Sequence, residues 1–224
     1  MVRDRQYVRH EVVPMEEDMI VEFKGHRTVS MEDENPKHFN PNNVRSEGRT
    51  RQSWSKYLAG FINSGRGGTL YAGILDNGAV AGIALSLYMV EHVRMALETC
   101  LAGYRPPCPP GIVKLRFVPV VEEGEEAVAD PATIAPGLGH LEHRVRGSGY
   151  CWCDCQARAS FGRGVLLPYY VVEAATWWRW QATGVPAAYH RAEDGEVYIR
   201  RHATTQLYTP MELEEMRRVL ALSN

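Results

Sequence analysis

Thr69-Leu-Tyr-Ala-Gly-Ile-Leu75, then Asp76-Asn77-Gly78, then Ala79-Val-Ala-Gly-Ile83 is the most legible stretch of this 224-residue chain. Two apolar runs flank Asp-Asn-Gly. Because Asn and Gly tolerate positive φ, the pattern predicts a β-hairpin. Upstream, residues 51–63 (RQSWSKYLAGFIN) place Trp54, Tyr57, Leu58, Phe61 and Ile62 at helical spacing, with Asn63 and Gly65 placed to end the helix. Residues 19–23 (MIVEF) are short, apolar and β-branched, which predicts a strand. Downstream, residues 87–101 return to helical spacing, the four prolines of 103–110 break it, and 112–121 (IVKLRFVPVV) alternate like a strand. Residues 150–158, 164–172 and 196–201 are further strand candidates. The chain then closes on a helix over 210–222, with Thr209 as N-cap and Glu212 at the capping-box position. Helices and strands mixed in this order predict an α+β fold. One domain over 1–224 is the simplest organisation, with a core at about 14–210, a long polar loop over 25–48 and an acidic linker over 122–138.

Composition bounds the function classes. Apolar residues make up 45% and charged residues 23%, which is ordinary globular usage and excludes wholesale disorder. No apolar run approaches the ~18 residues of a membrane helix, so no membrane partner is expected. The start, MVRDRQYVRH, lacks the apolar stretch of a signal peptide. Five cysteines, an odd number without an evident secreted framework, point to a reducing interior: the cytoplasm, with the nucleus as alternative.

The net charge of −2 hides an uneven distribution. From 24 to 66, Lys24, Arg27, Lys37, Arg45, Arg49, Arg51, Lys56 and Arg66 face four acids, leaving the stretch at +4. Glu122, Glu123, Glu125, Glu126 and Asp130 carry the opposite bias. A local basic field docks a polyanion without making the whole surface adhesive. The alternative is a solvated loop whose charges serve solubility.

Glu17, Glu22 and Asp76 are the candidate catalytic residues. Three converging carboxylates hold one or two divalent cations, Mg²⁺ or Mn²⁺, which polarise a phosphate and generate hydroxide near neutral pH. Residues five apart face opposite sides of a straight strand, so Glu17 and Glu22 share a ligand only if the chain bends between them. The competing reading makes Glu17 part of a solvated Glu16-Glu17-Asp18 run and Asp76 an ordinary turn residue.

The string Glu17-Asp-Met-Ile-Val-Glu22-Phe23-Lys24 resembles the E-x4-E-F-K signature of the Schlafen family and its AlbA_2-type relatives. Phe61-Ile-Asn-Ser followed by Gly67-Gly68-Thr-Leu-Tyr-Ala-Gly73-Ile-Leu-Asp76 is similar to that family's F-x-N-x-x-GG-x-L-x-x-G-V-x-D segment. Asp194-Gly-Glu-Val-Tyr-Ile-Arg-Arg201 with Ala203-Thr-Thr resembles its Y-I-R-x-x-S-S closing strand. The three blocks run in the family's order across nearly the whole chain. The resemblance implies a Schlafen core, a mixed sheet with helices on one side, and a metal-dependent endoribonuclease acting on structured RNA such as tRNA, rRNA or small-RNA precursors. Its catalytic acids fall on Glu17, Glu22 and Asp76, and Lys24 stands where it would touch the scissile phosphate. Larger Schlafens carry two cores, so this single core implies a homodimer or a hetero-oligomer with another Schlafen-like chain. Arg27, Lys37, Arg45, Arg49, Arg51 and Lys56 are the remaining candidate RNA contacts; His38, Arg45, Arg49 and Arg51 would grip phosphates across the cleft, and none of these four maps onto a family motif.

Cys151-Trp-Cys153-Asp-Cys155 puts three thiols on one face if the segment is a strand. With Cys108 they are candidate structural Zn²⁺ ligands, and His140 and His143 lie just upstream. Schlafen cores carry a zinc on a His-x-Cys turn and a later Cys pair. Cys108 falls near the first element, but Pro106 stands where the His belongs. Buried small apolar cysteines are the alternative. Gly65-Arg-Gly-Gly-Thr lacks the Gly-Lys-Ser/Thr ending of a P-loop. The cluster Trp177-Trp178-Arg179-Trp180 reads first as packing or interface, second as a base-stacking platform. The sequence therefore supports a metal-dependent endoribonuclease first. A non-catalytic nucleic-acid-binding module and a structural subunit of a larger nuclease are its rivals.

Overall fold

The computed structural model describes residues 6–30, 52–85, 87–125, 168–177 and 189–222. The elements in chain order are β1 (Tyr7–Val8), β2 (Val21–Lys24), α1 (Trp54–Ser64), β3 (Gly68–Ala72), β4 (Ile83–Ala84), α2 (Leu87–Gly103), β5 (Val113–Val121), β6 (Tyr169–Thr176), β7 (Val197–Arg201), β8 (Thr204–Tyr208) and α3 (Pro210–Leu222). The fold is α+β. Strands run β1-β5-β6-β3-β2 in one mixed sheet, with β4 also pairing β6 and with β7–β8 forming a separate hairpin. β2 and β3 pair in parallel, placing Glu22 beside Leu70 and Lys24 beside Ala72, and β3 pairs antiparallel with β6.

Period two decides what each face of the sheet buries. Leu70 and Ala72 of β3 and Tyr170, Val172 and Ala174 of β6 pack against Trp54, Leu58 and Phe61 of α1 and against Met89, Val93, Leu97 and Cys100 of α2. The alternate residues, Phe23, Val118 and Val171, turn to the opposite face. There the N-terminal segment covers them with Tyr7 and Val13, and Ile74 and Val80 complete the cluster. Since Val21 and Phe23 belong to that second face, Glu22 and Lys24 of the same strand point toward α1.

The expected turn is present. Gly78 N–H donates to the Leu75 carbonyl at 2.8 Å, Leu75 N–H to the Ala79 carbonyl at 3.0 Å, and Asn77 Oδ1 accepts from Ala79 N–H at 3.1 Å. The returning arm departs from a simple hairpin. Apart from a single bridge between Ile74 and Val80, it leaves β3 and pairs with β6 as β4. β3 already has β2 on one side and β6 on the other, so no ladder position remains for it. Gly73, at φ 107°, makes the exit from the sheet; a Cβ there would sit 2.8 Å from the Tyr170 carbonyl oxygen.

Helix α1 ends at the expected glycine rather than at Asn63. It runs through Asn63 to Ser64 and stops at Gly65, whose left-handed φ of 70° lets its N–H reach the Ile62 carbonyl. Asn63 is buried within the helix. The capping box of α3 is as expected: Thr209 N–H donates to Glu212 Oε2 at 2.7 Å, and Glu212 N–H to Thr209 Oγ1 at 3.3 Å. The β7–β8 hairpin packs on α1, and α3 packs on the hairpin through Leu213 and Met216 against Val197, Ile199 and Tyr208. The acidic linker beyond 125, residues 31–48 of the polar loop and the strand candidate over 150–158 lie outside the described residues.

Candidate functional site

The chain bends between Glu17 and Glu22, and Asp18 makes the bend. Its Oδ1 accepts from Ile20 N–H at 2.7 Å and from Val21 N–H at 2.8 Å, while Asp18 N–H donates to the Val21 carbonyl at 3.1 Å. Such an Asx turn is local chemistry of the aspartate side chain. It folds the preceding residues back beside β2, and Glu17 Oε1 accepts from Phe23 N–H at 2.8 Å. The condition set by the spacing of the two glutamates is thus met.

Glu22 is 4% exposed, and both of its oxygens are engaged. Lys24 Nζ donates to Oε1 and Arg200 Nη1 to Oε2. Lys24 also donates to the Phe23 carbonyl at 2.7 Å and lies 4.2 Å from the centre of the Tyr57 ring. Burial works against the charge of Lys24, but the charge and the hydrogen bond of Glu22 lead the opposing influences and hold the ammonium above its ordinary pKa. Glu17 is shifted upward. Its burial is the main cause; the Phe23 hydrogen bond and the charge of Lys24 oppose it, and the charges of Glu22 and, least of all, Asp76 add to it. Asp76, exposed on the turn after Gly73, is therefore close enough to act on Glu17 by charge repulsion.

The three expected acids occupy one region, but they do not form a ready cage. Among the described residues, no three His, Cys, Asp or Glu side chains are gathered closely enough to hold a metal ion. The donor set is nevertheless all oxygen, as Mg²⁺ or Mn²⁺ prefers. Glu17 has one oxygen outside the Phe23 bond and Asp76 is exposed; burial is the main cause of the upward shift of Glu17, and the charges of Glu22 and Asp76 add to it in the sense that a divalent cation would relieve. Glu22 would contribute only by exchanging one of its two cations.

Of the expected RNA contacts, Lys24 is turned inward onto Glu22 with its side chain 14% exposed. Arg27 and Lys56 are half-buried. Lys37, Arg45, Arg49 and Arg51 lie outside the described residues, as do Cys151, Cys153 and Cys155. Cys108 is described. Its Sγ lies 3.5 Å from His190 Nδ1, which is also 2.7 Å from the Pro106 carbonyl oxygen, and burial pushes the thiol up to about 12. His190, 82 residues away in sequence, is a neighbour that the spacing of Cys108 did not signal.

Arg200 is the site residue that sequence reading passed over. It is 1% exposed, and its guanidinium lies 5.2 Å from the Phe61 ring centre. Its signal was present as the Arg of Tyr-Ile-Arg, but nothing local assigns that side chain to Glu22 across 178 residues. No family model matches the chain. Among the described residues, no helix is long and apolar enough to cross a membrane.

Proposed function

We propose that this chain is a metal-dependent endoribonuclease of Schlafen type, cleaving structured RNA at Glu17, Glu22 and Asp76. The observation that carries the reading is the Asp18 turn, which folds Glu17 back onto the Phe23 amide next to Glu22 in β2. A divalent cation bound there would polarise a phosphate oxygen and lower the pKa of a water. Glu17 and Asp76 supply oxygens toward the solvent side. Lys24, when it leaves Glu22, presents a positive charge to the RNA backbone. The basic stretch from Lys24 to Arg66 adds a polyanion-attracting field. A second copy or a related chain would complete the RNA cleft, and the cytoplasm is the proposed compartment.

One observation favours a second reading, a non-catalytic nucleic-acid-binding module. With Lys24 and Arg200 on its two oxygens, Glu22 is already neutralised from within. The experiment is cleavage of labelled tRNA and a hairpin RNA with Mn²⁺, Mg²⁺ or EDTA, comparing wild type with Glu17→Gln. That variant keeps an acceptor for Phe23 N–H and removes the charge. Metal-dependent cutting that disappears in Glu17→Gln supports the nuclease. RNA bound in EDTA and never cut, with affinity falling steeply with salt, supports the binding module.

A further inference from the structure

We infer that Arg200 is a positioning residue of the acidic site, making the β7–β8 hairpin a working part of that site. The guanidinium donates from all three nitrogens into one short segment. Nε reaches the Asp18 carbonyl at 2.9 Å, Nη2 reaches the same carbonyl at 2.6 Å and the Val21 carbonyl at 2.7 Å, and Nη1 meets Glu22 Oε2 and Thr205 Oγ1, the latter at 3.3 Å. The two carbonyls it holds belong to the residues that open and close the Asx turn. One fully buried side chain thus fixes both the bend that returns Glu17 and the rotamer of Glu22.

The geometry follows from what an arginine offers. Its planar fork has five donors in fixed directions, and the three donors of a lysine ammonium cannot match them across four acceptors. Phe61 of α1 lies near its guanidinium. Gly60 lets the hairpin approach α1: a Cβ there would stand 2.8 Å from Thr205 Cγ2 and 3.4 Å from Arg200 N. Arg200 is inaccessible and holds three acceptors besides Glu22 Oε2, namely the Asp18 and Val21 carbonyls and Thr205 Oγ1, whereas Lys24 is the more exposed of the two cations. Glu22 Oε2 is therefore the fixed oxygen, and Oε1, on Lys24, is the one that can engage a ligand.

The test is amide hydrogen exchange on the metal-free protein, wild type against Arg200→Lys, with Arg200→Met as a second variant. The Ile20, Val21 and Phe23 amides report directly, since each donates to the Asp18 or Glu17 carboxylate. In Arg200→Lys these three should exchange about tenfold faster while the central β3 and β6 amides keep their protection. Unchanged exchange at the three amides would overturn the inference. So would equal acceleration across the sheet, which would make Arg200 a general clamp. The functional consequence rests on the proposed nuclease and is read separately: Mn²⁺ affinity, measured by titration calorimetry, should fall about tenfold in Arg200→Lys. A wild type that binds no Mn²⁺ would sink the nuclease reading and leave the exchange result standing.

Discussion

Asn63 and His190 are joined in both directions. Asn63 Nδ2 donates to the His190 carbonyl at 2.8 Å, and His190 N–H donates back to Asn63 Oδ1 at 2.8 Å. The same Nδ2 donates to the Tyr198 carbonyl at 2.9 Å. A side chain in the last turn of α1 thus takes the place of a strand partner for the segment that enters β7. Asn63→Leu removes all three bonds and leaves buried backbone groups without them. It should cost about 2–4 kcal/mol, read as a lower urea midpoint at unchanged slope. A loss below about 0.5 kcal/mol would show that the segment finds other partners.

Gly60 reverses a familiar expectation. In an exposed helix interior, Gly→Ala stabilises by about 1 kcal/mol. Here the new methyl would press on Thr205 Cγ2 at 2.8 Å, and Thr205 is β-branched and stiff. Gly60→Ala should destabilise by about 1–3 kcal/mol, and adding Thr205→Ser should restore most of it. Thermal unfolding of the two single variants and the double variant decides the point. An unshifted or raised midpoint in Gly60→Ala would mean that the hairpin yields without cost.

The structure changes which Glu22 variant is informative. Glu22→Ala is the variant that a catalytic reading of Glu22 first suggests. In the fold it would strand Arg200 and Lys24 around a vacancy, and breaking a buried pair from one side costs about 3–5 kcal/mol. Glu22→Ala should therefore be markedly less stable than Glu22→Gln, which keeps an oxygen for one of the two donors. Chemical denaturation of both variants, before any RNA assay, checks this. Equal stabilities at the wild-type value would show that the ion pairs contribute nothing net.

The capping box of α3 carries a pH signature. Hydrogen bonds from the Thr209 amide and hydroxyl hold the Glu212 carboxyl below its ordinary value of 4.5. A carboxyl lowered in the folded state stabilises fully above its unfolded pKa and loses that contribution as pH falls through the lowered value. Protection of the α3 amides should thus decline on acidification more in wild type than in Glu212→Gln. Parallel declines would remove Glu212 from the cap.

What the sequence determined by itself is local. The Asp76-Asn77-Gly78 turn, the capping box at Thr209 and the apolar stripe of α1 are each specified within a few residues, through backbone preference and short-range hydrogen bonds. The three acids and their order were legible for the same reason, as a string. The tertiary structure alone decided where the strands pair and which charges meet. The arm after Gly82 turns to β6 because both edges of β3 are taken, and the short β1 and the closing β8 exist only through their partners β5 and β7. Arg200 reaches Glu22 because packing of the hairpin on α1 brings together residues that no local preference links. Long-range ion pairs carry no periodic trace in a sequence, since their energy depends on burial and on geometry that the whole fold sets.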